Sequence, residues 1–234
     1  MNKLSRTVLV SLGVAATLSM ALCALPYLIA PATVDGFTGL LPKSGGTHRV
    51  LTWLNMSYPI GLVGYSFAAM PVVAILAARI YRLNPVLVMT ATVWLELSFV
   101  FELVNNLPLV AGFLMPPTAQ PVGLSDEALT YLAQTDMLSY LSLDVPGFML
   151  AYAGLGIIAA LVHSHSRTLT RVTAMSFALL LANLPFLWIE PKILACILMG
   201  LAILVFAAFP LALARLSLSH PIRVPQPSLD GFRG

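Results

Sequence analysis

Residues 85–108 read PVLVMTATVWLELSFVFELVNNLP, and this stretch decides the solvent for which the chain is built. It carries no Lys or Arg, and it is long enough for an α-helix to cross a hydrocarbon core of about 30 Å, which takes roughly 20 residues. Five further apolar runs lie at about 8–30, 58–80, 145–163, 172–190 and 192–215. Over all 234 residues, 59% are hydrophobic and 9% charged. With a mean hydropathy of +0.92, too little polar surface remains to clothe a water-soluble globule.

Lipid demands that backbone polar groups be satisfied within a helix or a closed barrel, and the short alternating segments of a barrel are absent. The sequence therefore predicts an all-α integral membrane protein with six transmembrane helices. They form one domain over 1–216, followed by a flexible cytoplasmic tail over 217–234 that carries Pro221, Pro225 and Pro227.

Basic residues near the ends of spans stay on the cytoplasmic side. With both termini inside, Lys3, Arg6, Arg79, Arg82, Arg167, Arg171, Arg215, Arg223 and Arg233 fall in the cytoplasm, and Lys43, Arg49 and Lys192 outside. The first run also resembles a secretory signal, with Ala30-Pro31-Ala32 as a small-residue cleavage site. Its apolar length of about 23 residues exceeds a signal core of roughly 7–15, so a retained span is expected. Cleavage would leave five spans and an outward N-terminus. Cys23 and Cys196 both fall in apolar runs and read as small packing residues.

The inner connection Arg79–Asn84 before Pro85 is a tight turn that makes the second and third spans antiparallel neighbours. Glu190-Pro191-Lys192 does the same for the last two. The outer segments 31–57 and 109–144 are long. In the second, Ser125 caps Asp126 and Glu127, and Leu129, Leu132, Ala133, Met137, Tyr140 and Leu141 recur at helical spacing. A short amphipathic outer helix is predicted there, either a connector or a cover for the bundle mouth. A similar stretch, Thr47 to Trp53, leads into the second span, and Asn55-Met56-Ser57 matches a glycosylation acceptor at its mouth. The chain divides into three spans on either side of 109–144, but no inverted repeat is visible between the halves.

An ionisable side chain within a span is expensive and is a functional candidate by default. The 85–108 run has Glu96 and Glu102. At about 100° per residue, Ser98, Glu102, Asn106, Thr92 and Glu96 share an arc of roughly 160°, with Asn105 just beside it. A rise of 1.5 Å per residue puts Glu96 near the mid-plane and Glu102 about 9 Å further outward. With Asn183 in the fifth span, these residues outline an outward, acidic, amide-rich recess for a proton, a cation or a small polar solute. The competing reading makes them interhelical hydrogen-bond partners with no ligand. Asp144 reads as the N-cap of the fourth span, and Glu190 with Lys192 as a solvated turn.

Catalytic signatures are missing: the sequence holds no HExxH, Gly-x-Ser-x-Gly or P-loop pattern. Glu96 and Asp144 differ too much in depth for a carboxylate dyad. His163 and His165 flank a basic loop and bring too few ligands for a metal site, while His48 and His220 stand alone. No enzyme activity, cofactor, metal or nucleic-acid partner is expected. The small residues Gly61, Gly64 and Ala68, and Gly154 with Gly156, predict close helix packing.

Two stretches, AARIYRLNPVLVMTATVWLELSFVFE at 77–102 and GLGIIAALVHSHSRTLTRVTAMSFAL at 154–179, look like those of six-span bacterial membrane proteins grouped as a domain of unknown function. The likeness covers most of the chain by topology and few positions by identity. Val172-Thr173 stands where that group has Leu-Gly after the basic turn, and the first span departs as well. The resemblance implies a bacterial inner-membrane protein and brings no activity. Partners expected from the sequence are the lipid bilayer and either a membrane protein or a second copy of the chain. The alternative to a binding or conducting role is a non-enzymatic accessory or sensory subunit that acts through such partners.

Overall fold

The computed structural model describes residues 3–29, 48–114, 145–183 and 193–218. They form eight helices: α1 Lys3–Cys23, α2 Leu25–Ile29, α3 His48–Ile80, α4 Pro85–Leu114, α5 Val145–Leu161, α6 Arg167–Asn183, α7 Ile193–Ala207 and α8 Phe209–Leu218. No strand occurs among the described residues. Among the described residues, four stretches are long and apolar enough to cross a membrane, namely Leu4–Cys23, Met56–Ile80, Pro85–Pro108 and Ile193–Leu218. α5 is a shorter apolar helix of 17 residues. α6, also of 17 residues, opens on the polar turn Arg167–Arg171 and is not among the four over its described length.

Several boundaries differ from the sequence reading, each for a local reason. The first span starts at Leu4 rather than 8 and breaks at Ala24, because Pro26 has no N–H to continue the ladder. α3 runs without interruption from His48 through Asn55-Met56-Ser57 to Ile80, so the approach to the second span and the span itself are one helix of 33 residues. It tolerates Pro59 and Pro71, as helices packed among neighbours can. α6 begins at Arg167 rather than 172, since Ser166 Oγ accepts from Leu169 N at 3.3 Å and caps it. The last span turns at Ala208, ahead of Pro210, and α8 continues to Leu218, with Ser217 buried and donating to Leu213 O at 2.9 Å. Asp144, Glu190, Lys192 and the 115–144 segment with its amphipathic stretch lie outside the described residues.

The tight turn at 81–84 forms as expected. Asn84 Oδ1 accepts from Leu87 N at 3.1 Å, placing Pro85 in the first turn of α4, where its missing N–H costs nothing. Packing then runs in a closed circuit: α1 on α3, α3 on α4, α4 on α5, α5 on α6, α6 on α7, and α7 back on α1, with α8 against α1 and α3.

Glycine sets the closest seams. A Cβ at Gly61 would stand 2.5 Å from Ser19 O and one at Gly64 2.7 Å from Ser19 Oγ, so α3 meets α1 backbone to backbone. A Cβ at Gly154 would stand 2.8 Å from Ala91 O, while one at Gly147 would meet Glu102 Oε1 at 3.3 Å. Rising numbers on α5 thus pair with falling numbers on α4, and the two helices are antiparallel. Gly156 corrects the sequence reading, because a Cβ there meets nothing within 4 Å. Residues two apart lie on different sides of a helix, and only Gly154 is in the seam.

Between the seams lies a core of Leu62, Val72, Leu76, Leu95, Phe99, Leu155, Ile158 and Phe209. Tyr65 meets Phe99 edge-on at 5.6 Å and Phe206 at 5.9 Å, and Phe206 meets Tyr152 at 5.4 Å, so one aromatic cluster ties α3, α4, α5 and α7. The outside is apolar too. On α4, Val86, Met89, Val93, Leu97, Val100, Val104 and Leu107 are exposed along a single face, a surface suited to lipid rather than water. Arg6, Arg79, Arg82, Arg167 and Arg171 are all exposed, and the antiparallel order of α1, α3, α4 and α5 brings them to one end.

Candidate functional site: a buried acid and amide on α4

Helix α4 is apolar outside and polar within. Its most buried residues are Val88, Ala91, Leu95, Ser98, Phe99, Glu102 and Asn106, which share an arc of about 100° opposite the lipid-suited face. Glu102 is 5% exposed and Asn106 1%, values that remove both from bulk water. They sit one helical turn apart, the spacing at which side chains meet. Asn106 Nδ2 donates to the Glu102 backbone oxygen at 2.9 Å and to Glu102 Oε2 at 3.3 Å. The other carboxylate oxygen, Oε1, faces Gly147 of α5. Tyr65 on α3 lies within electrostatic range of the same carboxyl.

The amide is satisfied on one side only. Asn106 Oδ1 is buried with no hydrogen-bond partner among the described residues. Thr17 Oγ1 and Ser66 Oγ share that condition elsewhere in the bundle, but Asn106 Oδ1 belongs to the amide that holds a buried carboxylate. A buried acceptor left open costs about 1–3 kcal/mol, which a ligand or bound water recovers.

The remaining predicted site residues are dispersed. Glu96 is half-buried, about 100° around α4 from Leu95, on the side where Phe99 reaches Tyr65 of α3. Glu102 Oε1 faces Gly147 of α5, and Tyr65 of α3 and Cys23 of α1 are also within electrostatic range of its carboxyl. The single recess drawn from the sequence therefore divides into a buried pair, Glu102 with Asn106, and a flanking acid. Asn105 is half-buried on the opposite flank from Glu96. Asn183 is the last described residue of α6, which packs on α5, α7 and α8.

A second polar cluster escaped the sequence reading. Tyr152 Oη and Ser176 Oγ are 2.6 Å apart, and Ser176 Oγ donates to Ala202 O at 3.2 Å, joining α5, α6 and α7. With the serine proton given to Ala202, the tyrosine hydroxyl donates to the serine oxygen, and each group has a partner. The two histidines of the inner loop also hold local hydroxyls: His163 Nδ1 lies 3.1 Å from Thr170 Oγ1 and His165 Nδ1 2.9 Å from Ser164 Oγ.

These features define an all-α, membrane-embedded bundle with a carboxyl–amide pair buried on the inner face of α4. Comparison with protein-family models, curated proteins and solved structures finds no match to this chain.

Proposed function

We propose that the protein is a six-span bacterial inner-membrane protein, with both termini cytoplasmic, that binds or conducts a proton, a cation or a small polar solute at Glu102 and Asn106. The single observation behind this reading is Asn106 Oδ1, an open acceptor on an amide that holds a buried carboxylate. Such a pair serves poorly as glue alone, because a half-satisfied polar network costs more than an apolar seam.

Support for six spans comes from the closed packing circuit, in which α5 and α6 take positions equivalent to those of the longer helices. Support for a retained first span comes from Leu9, Ala16, Met20 and Cys23, which are core residues packed on the rest of the bundle. Cytoplasmic placement of the termini draws on the arginines gathered at one end. In a background lacking Cys23 and Cys196, Ala119→Cys is expected to react with an impermeant maleimide on intact cells and Arg82→Cys only after permeabilisation. The reverse pattern would invert the topology.

Function is tested in proteoliposomes under an imposed gradient, with internal pH and cation uptake as readouts. Wild type is expected to conduct, and Glu102→Gln to assemble without conducting. If neither conducts or binds, the accessory role through protein partners takes its place.

A further inference from the structure

Two acids stand within the described part of α4, and only one of them is provided for. Glu102 is buried and held by Asn106. Glu96 is half-buried and makes no hydrogen bond or ion pair among the described residues. It stands in the middle of the Pro85–Pro108 span, about 16 Å along the helix from Pro85 and well above Arg79 and Arg82 at the inner turn. An acid at that depth is expensive unless a partner or water meets it.

The side on which Glu96 is open is the outside of the bundle. Met89, Val93, Glu96 and Val100 take positions i−7, i−3, i and i+4 of one row along α4, and the three apolar members are all exposed. Such a row is the seam by which one helix docks on another. The rest of the outer face, Val86, Leu97, Val104 and Leu107, is purely aliphatic and suits lipid, whereas this row carries a carboxyl at its centre.

The charge selects the occupant. Acyl chains offer a carboxyl nothing. A second copy docked on the same row by a two-fold axis sets Glu96 against its own counterpart, acid on acid. A helix with Lys or Arg near its middle brings the missing counter-charge, and the attraction is far stronger in lipid than in water. We propose that the row of Met89, Val93, Glu96 and Val100 is the docking surface for a transmembrane helix of another membrane protein, one that carries a Lys or Arg at mid-depth. The proposal goes beyond the reading of Glu102 and Asn106 as a binding site and does not depend on it.

The test uses the full chain in phosphatidylcholine vesicles, labelled with a donor fluorophore at Arg82→Cys in a background lacking Cys23 and Cys196. Acceptor-labelled synthetic helices of about 21 residues, built of Leu and Ala around a central Lys, Asn or Leu, are titrated by mole fraction in the lipid. Energy transfer to the Lys helix is expected to half-saturate at about tenfold lower mole fraction than transfer to the Leu helix, and Glu96→Gln is expected to abolish the difference. Equal binding of the Lys and Leu helices would overturn the proposal, as would a Lys preference that survives in Glu96→Gln. An Asn helix that binds as well as the Lys helix would overturn the charge pairing and leave only a hydrogen-bonding face. Transfer between donor- and acceptor-labelled copies of the protein itself, lost in Glu96→Gln, would overturn it in favour of a second copy.

Discussion

Two interior seams bury polar groups, and they differ in whether the polar account closes. Between α5, α6 and α7, Tyr152, Ser176 and the Ala202 carbonyl form a chain with a partner for each hydroxyl. Between α4 and α5, Asn106 binds Glu102 and still leaves Oδ1 open at a residue 1% exposed. A closed chain holds helices together and has nothing to offer a ligand. An open one gives up stability and keeps an acceptor unused, which is why we propose the α4 seam as the binding site and the Ser176 seam as a structural one.

The contrast can be broken most severely through the backbone seams. Gly61→Leu is expected to prevent assembly, since even its Cβ would lie 2.5 Å from Ser19 O, whereas Gly156→Ala, with open space around it, should behave as wild type. Size-exclusion profiles in detergent would show this, and equal profiles would refute the packing of α1 on α3. Next in size is Ser176→Ala, which strands the Tyr152 hydroxyl and is expected to destabilise by about 1–3 kcal/mol without touching uptake. Gly147→Ala should cost less, about 1 kcal/mol, but should weaken uptake because the new methyl presses on Glu102 Oε1. A thermal melt paired with the uptake assay separates the two effects. Smallest is Glu96→Gln, which lies off the buried arc and is expected to leave both uptake and melting near wild type. Loss of uptake in that variant would restore the wider recess drawn from the sequence.

What was legible in the sequence follows from the range over which each signal acts. Hydropathy is summed over a whole helix, so the all-α class and the long spans at 58–80 and 85–108 were readable within a few residues of Met56–Ile80 and Pro85–Pro108. Glu102 with Asn106 was readable because residues four apart meet on any helix. Glu96 groups with them when an arc of roughly 160° is read as one face, yet the neighbours of α4 fully cover only about 100° of it. The Tyr152–Ser176 contact depends on which helices pack side by side, and a serine in an apolar helix does not announce its partner. Gly147 next to Glu102 was missed for the same reason, although a glycine near the start of α5 was a visible hint.

The central claim is that the open seam works and the closed seam holds, and one experiment reads both. Wild type, Glu102→Gln and Ser176→Ala are reconstituted side by side and measured for proton and cation uptake and for thermal unfolding. The account predicts that Glu102→Gln melts like wild type without uptake, while Ser176→Ala melts lower and still takes up the ion. Uptake preserved in Glu102→Gln together with a lowered melting temperature would make the acid–amide pair structural and contradict the account.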